Sequence, residues 1–578
     1  MPDRFTLLNS AGRTGGHTLH FGFGRSFVCL ALATCALAPA SAQEGQPAGE
    51  SPAGEATAPA TEKLPSFPEL EAAGAVVGEI RIVTRNIFDL DNERENNVFY
   101  RAANAIHFQT RPGIVKEKLL FKKGERISVH AIEETERLLR SYRIFYDVSI
   151  VPVAYHDGVV DIEVRTRDTW SLQPGFSASR SGGANRTNFG LTETNAFGTG
   201  ILLGVNRFSD ADRTGVVYQV LDPHAFDGWT TVNYAYSQLS DGQNTIASVN
   251  RPFYALDTRW AAGITASKDN RLNKLFENGS TTAQFRHRKD SADAFGGLSE
   301  GLVGRWVQRY SLGISYQKDA YSEEAGLPAP AQLPSDQTLV TPFLRYEVVQ
   351  DAYERYKNLD LIERPEYFVI GLQSSVQLGR SSTALGSTQQ LWTYSASVSD
   401  GYRLPSGGIL LGSVSSLGQT GYGPLDKQAT SSSVKFYSHP DSRTLVFFSL
   451  AGDILKDATS TTQLTLGGDT GLRGYPRNYQ SGDYRAVFNA EYRVYTDWYP
   501  VRLFRVGGAV FYDLGRAGGG PNSNTEHTGW ISDVGVGLRI LNARTAFGNV
   551  LHLDLAFPLT YDPNIRRVQF LVQTQTTF

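Results

Sequence analysis

The 578 residues include 55 basic and 58 acidic side chains, a formal charge of −3, and such a balance gives no case for binding nucleic acid. Gly 57, Tyr 27 and Phe 31, with only 20% charged residues, suit a strand-rich chain, and the negative mean hydropathy excludes a bundle of membrane helices. Beyond the first 42 residues no stretch approaches the roughly eighteen unbroken apolar residues of a spanning helix, which leaves alternating transmembrane strands untouched.

At the start of the chain, Arg25 precedes the apolar run Phe27 to Leu37, and Ala40-Ser41-Ala42 comes next with a small-x-small pattern. Residues 1–42 therefore read as a signal peptide cleaved after Ala42, targeting the chain for export. Both cysteines, Cys29 and Cys35, fall inside it, so the exported chain is expected to carry no thiol or disulfide chemistry. A lipid anchor at Cys35 is the competing reading, disfavoured by the size of Thr34. Residues 43–75 are rich in Pro, Ala, Gly and Glu without periodicity, and are expected to be a disordered tether.

Ordered sequence is expected from Val76, where Ile80 and Ile82 alternate with Arg81 as in a half-buried strand. A helical stretch comes next, over roughly Asn96 to Phe108. Ser128 then stands as an N-cap before a helix from Val129 to Tyr142, whose Ile132, Thr135, Leu138 and Leu139 share one face. Two strands, Phe145 to Val153 and Val159 to Thr166, are joined by a turn through His156-Asp157-Gly158. The order strand, helix, helix, strand, strand over residues 76–168, with Leu119-Leu120-Phe121-Lys122-Lys123-Gly124-Glu125 before the second helix, resembles a single POTRA domain. Such a small sheet has an edge that can take up an extended chain, so the functional reading is a docking site for a client, a periplasmic partner or a lipoprotein; the alternative is a spacer that orients the C-terminal region.

From residue 169 to the end the chain is a succession of alternating segments of about ten residues, the length of tilted transmembrane strands. In Val550 to Leu559, Leu551, Leu553, Leu555, Phe557 and Leu559 face one way and His552 and Asp554 the other. The last segment alternates likewise, with Phe570, Val572 and Phe578 on its apolar face; an aromatic residue closing such a strand resembles the recognition signal of outer-membrane barrels. Asn195 to Gly200, Asp222 to Gly228 and Arg251 to Asp257 read as turns. About twenty candidate strands can be counted.

Within this region, Gly467 to Asn478 gathers glycines and a proline around Arg473 and must be a loop with special backbone angles. The next two strands place Glu491 and Asp513 on their polar faces. An infolded loop could bring Arg473 to both carboxylates as a charge-assisted clamp, the alternative being a solvated loop arginine. Leu472-Arg473-Gly474-Tyr475, succeeded by a strand with Glu491 and another with Phe511-x-Asp513-x-Gly515, resembles the signature of the Omp85 superfamily, also described as bacterial surface antigen D15-like barrels. The resemblance implies a mainly β protein: one small α+β POTRA domain in the periplasm, then an antiparallel barrel of sixteen strands in the outer membrane of a Gram-negative-type bacterium, a larger even number being the alternative. It further implies that the loop folds into the lumen, where the arginine meets the acidic residues. The function implied is assembly or translocation of client polypeptides; dedicated two-partner-type secretion and a passive or structural barrel are the alternatives. The histidines are scattered and no nucleophile is indicated beside a base, so no enzymatic chemistry, cofactor or metal is expected.

Overall fold

The computed structural model describes residues 64–578 except 143, 424–425, 458–461, 521–522, 524–525, 527, 544–549, 561, 564 and 576–578. The expected signal peptide, its cleavage site and Phe578 lie outside the described residues. Ordered structure begins earlier than the composition suggests: helix α1 (Phe67–Ala72) lies within the stretch expected to be a tether. Ser66 and Glu69 form a capping box at its start, and Leu70 is fully buried in the core of the adjoining α+β domain. Leu70, the half-buried Phe67 and a capped turn outweigh the Pro/Ala-rich composition around them.

That domain contains β1 (Val76–Arg85), α2 (Val98–Ile106), α3 (Pro112–Lys116), α4 (Val129–Ser141), β2 (Phe145–His156) and β3 (Val159–Asp168). The sheet order is β1-β3-β2, with β3 central, parallel to β1 and antiparallel to β2. Ser128 caps α4 by accepting the Ala131 amide, and Ile132, Thr135, Leu138 and Leu139 are buried beneath it. The β2–β3 turn places Asp157 and Gly158 at positive φ, as a two-residue hairpin requires. The free edge of β1 is partly covered, since Val77 and Ala75 exchange backbone bonds with Gly124, Glu125 and Ile127. The other edge, β2, carries Pro152, which cannot donate to a further strand.

Residues 172–575 form a closed antiparallel barrel of twenty strands, not sixteen. The count of alternating segments agrees with twenty; the number sixteen comes from the resemblance. The wall alternates throughout. In Val550–Pro558, Leu555 and Phe557 are exposed outward whereas His552 and Asp554 are buried inward; in Ile531–Asn542, Val534, Val536 and Leu538 are exposed and Asp533 and Arg539 buried. An outward apolar face around a polar interior is the pattern of a barrel set in lipid. No described helix is long and apolar enough to cross a membrane. The barrel closes where Gln569–Gln575 meets Leu172–Ser181, with Val572 opposite Arg180, and Phe570 on the exposed face.

The turns at 197–200, 226–229 and 252–259 lie against the α+β domain and so mark the end of the barrel on that domain's side, the near end. Asn195 donates to Thr110 Oγ1 at 2.8 Å, and the Leu256 amide donates to Glu134 at 2.8 Å. Lys118, almost fully buried, donates to the carbonyls of Pro223 and Gly228 and stands over the Trp229 ring at 4.6 Å. Burial pushes its pKa down to about 8.

Candidate functional site

The loop between Thr444–Asp457 and Tyr484–Tyr495 starts from the far end of the barrel and folds inward as a hairpin, with Leu464–Leu466 paired to Gln480–Gly482. Gly467, Gly468 and Gly471 all take positive φ, which is why the turn is built of glycine. Leu472 and Tyr475 are fully buried pegs, packed with Leu466, Val487 and Ile531, and the Tyr475 hydroxyl donates to the Ser532 carbonyl at 2.9 Å. Gly474 lies so near the wall that a Cβ there would stand 2.6 Å from Asp533 Cβ; its amide donates to Asp533 Oδ2 at 2.9 Å. The motif thus divides its labour: two apolar pegs, one close approach and one charge.

That charge, Arg473, makes a bidentate pair with Asp513, Nε to Oδ2 and Nη2 to Oδ1 both at 2.8 Å. Nη1 reaches Glu491 at 3.2 Å and Asp554 at 3.4 Å, and the guanidinium lies 3.3 Å from the centre of the Phe511 ring. Such forked, ring-backed geometry is what arginine provides and lysine does not. The strand period explains the convergence: Glu491, Phe511, Asp513 and Asp554 all sit at inward positions of neighbouring strands.

The sequence pattern singles out Arg473, Glu491 and Asp513 but not the rest of the cluster. Arg493 Nε donates to Glu491 Oε1 at 2.9 Å, Arg539 Nε donates to the same oxygen at 3.0 Å, and Arg539 Nη1 donates to Asp554 Oδ1 at 2.6 Å. Asn489 donates to Asp513 at 2.8 Å and to the Gly471 carbonyl at 2.9 Å. Asp533 stands opposite Asp513 in the register. Alternation alone puts Asp554 and Arg539 on inward faces; which of them meet depends on cross-strand register, which no local pattern encodes. Phe570 and Val572 belong to the seam strand, paired with Leu555 and Leu553 next to Asp554, but they share the outward face of those leucines and so stay out of the cluster.

A second inward element has no counterpart in the sequence pattern. Between Gln337–Gln350 and Gln373–Arg380, on the near side, residues 351–372 form a hairpin with Tyr353–Tyr356 paired to Glu366–Val369. Its tip enters the lumen: Leu359 and Ile362 are buried against the inward side chains Tyr437, Leu445, Phe447 and Tyr495. Tyr437 donates to Asp360 at 3.0 Å, Tyr495 to the Asn358 carbonyl at 3.1 Å, and Arg493 Nη1 to the Leu359 carbonyl at 2.9 Å. The base is held by α4, through His130 and Asp351 at 3.3 Å and Arg137 over the Tyr353 ring at 4.6 Å. The signal available was Leu359, Leu361 and Ile362 set among charges, in a connection far longer than its neighbours.

Among the described residues no group of three or more His, Cys, Asp or Glu could hold a metal ion. Fold and site together are those of a closed β-barrel with an apolar outer face and an infolded arginine loop. In the detail of that loop the sequence resembles the Omp85 signature. No protein-family model matches the sequence, and no curated protein matches it. Among solved structures the chain is similar to BamA from Haemophilus ducreyi lacking POTRA domains 1–3, at 13% identity over 86% of this chain and 85% of that one, TM-score 0.36. It is also similar to CdiB from Acinetobacter baumannii, at 12% identity over 86% and 73%, TM-score 0.38. With CdiB from Escherichia coli the figures are 13% identity over 86% and 76%, TM-score 0.46.

Proposed function

We propose that this chain handles polypeptides at the outer membrane, inserting client barrels or passing a client across, with residues 76–168 acting as a single POTRA-like docking domain. The observation that carries this reading is the Arg473 cluster: a loop is carried deep into the lumen and fixed there by buried charge. An open diffusion pore is obstructed by such a loop, and more so by a second hairpin occupying the near end of the same lumen. Neither intrusion presents a nucleophile beside a base, so the reading assigns the protein no chemistry of its own. The clamp residues Leu472, Arg473, Gly474, Tyr475, Glu491 and Asp513 hold the loop in its working position, and the seam between the first and last strands is the site proposed to open for a client.

Quantitative mass spectrometry of outer membrane and culture supernatant after depletion tests the reading. A broad fall in barrel proteins identifies an assembly factor, and loss of one secreted or surface protein identifies a dedicated translocator. Unchanged fractions would overturn polypeptide handling.

A further inference from the structure

Helix α2 packs one side against protein and leaves the opposite, apolar side uncovered. On the inner side Tyr100 stacks on Phe88 with ring centres 4.0 Å apart and donates to the Val501 carbonyl. Asn104 donates to the Phe88 carbonyl at 2.8 Å and accepts the Phe88 amide at 3.1 Å. The helix is therefore bolted to the strand exit of β1 and to the barrel turn at 496–503. On the outer side Val98, Phe99 and Ile106 are 63%, 79% and 61% exposed, with Ala102 and Ala105 between them. At 100° per residue these five positions fill one arc of about 120°, opposite Tyr100 and Asn104. An amphipathic helix buries its apolar stripe, so the outer arc calls for a cover.

Its position says what the cover is. The chain leaving α2 continues to Phe108, whose ring lies 5.5 Å from that of Phe197 in the first near-end turn of the barrel. Arg111 then bonds to the carbonyl of Phe197 and, through its amide, to that of Gly198. The helix and the residues after it thus bridge the turn at 496–503 and the turn at 197–200 at the near end of the barrel. The turns on that rim are themselves tipped with exposed apolar side chains, Phe197, Phe226, Trp498 and Val501. Aromatic side chains at that level are the belt by which barrels sit at a bilayer interface. The helix is fixed between two turns that carry these side chains, and the charge flanking its outer arc, the exposed Arg101, has the reach to leave its head among phosphates.

We propose that α2 is an in-plane membrane anchor whose outer face, Val98, Phe99, Ala102, Ala105 and Ile106, lies in the near leaflet of the bilayer and holds the α+β domain against the membrane surface. The proposal rests on the barrel being embedded in lipid and is independent of polypeptide handling.

The full chain, with Cys29 and Cys35 replaced by serine, is reconstituted into phosphatidylethanolamine/phosphatidylglycerol vesicles with one environment-sensitive fluorophore at a time, on Phe99→Cys, Ile106→Cys or Lys123→Cys. Lys123 lies at the end of the sheet remote from the barrel. Folding of each variant is checked by heat-modifiable migration. Brominated lipid is expected to quench the labels at 99 and 106 at least threefold more than the label at 123, with emission shifted to the blue. Equal quenching at all three positions would overturn the anchor. So would labels at 99 and 106 that stay water-exposed in vesicles yet become protected in native membranes, because a protein partner would then be the cover.

Discussion

Replacing Arg473 by Ala removes the bidentate pair to Asp513 and the contacts to Glu491 and Asp554 in one step. Glu491 and Asp554 keep Arg539, and Glu491 keeps Arg493 as well, so their charge stays compensated. Asp513 does not: it is fully buried, keeps the Asn489 side-chain amide and a longer bond of 3.4 Å from the backbone amide of residue 473, and faces Asp533 across the register. Breaking a buried pair from one side costs about 3–5 kcal/mol, and most of that is the orphaned carboxylate rather than the lost bonds. Arg473→Ala is therefore expected to lose that amount of stability, measured as the urea dependence of heat-modifiable migration in micelles. Adding Asp513→Asn removes the orphan charge and should recover more than half of the loss. A single variant within about 1 kcal/mol of the parent, or a double variant as unstable as the single one, would refute the view that charge compensation fixes the loop.

Replacing residues 353–369 by a short glycine turn should raise the conductance of the protein in planar bilayers several-fold; unchanged conductance would mean that the hairpin does not obstruct the lumen. Cysteines at Arg180 and Val572, which face each other across the seam, should cross-link under oxidation and suppress client handling reversibly; full function in the cross-linked state would exclude opening there. Lys118 supplies a pH test. Its pKa is about 8 when docked against the usual value of 10.5, so the undocked state binds more protons between those values and docking strengthens as pH rises from about 8 to 10.5. A shift of that size corresponds to roughly 3 kcal/mol. Amide protection at 226–229 should increase over that window in the parent chain and stay flat in Lys118→Met.

The wall and the arginine loop are legible in sequence because both obey local rules. A period of two puts His552 and Asp554 opposite Leu553 and Leu555 whatever the strand pairs with, and no regular element accommodates Gly467, Gly468, Gly471 and Gly474 within eight residues. What local rules cannot supply is register. Arg473 and Asp554 are 81 positions apart and meet only because three intervening strands close between them. The hairpin at 351–372 escapes for a related reason: its Leu359 and Ile362 look like isolated apolar residues in a charged loop until the lumen that buries them is built. Helix α1 is hidden by composition, since Leu70, with Phe67 half-buried beside it, carries its apolar attachment.

Glu491 has a consequence for how the two intrusions behave together. It binds Arg473, carried by the loop from the far end, and Arg493, whose other nitrogen holds the Leu359 carbonyl of the hairpin from the near end. The loop cannot withdraw without leaving Glu491 one guanidinium poorer, and the hairpin cannot withdraw without stripping Arg493 of an acceptor. Each departure changes the free energy of the other, and by linkage the change is the same in both directions. The barrel is in that sense an airlock with both doors hung on one hinge post, and the post is a single carboxylate.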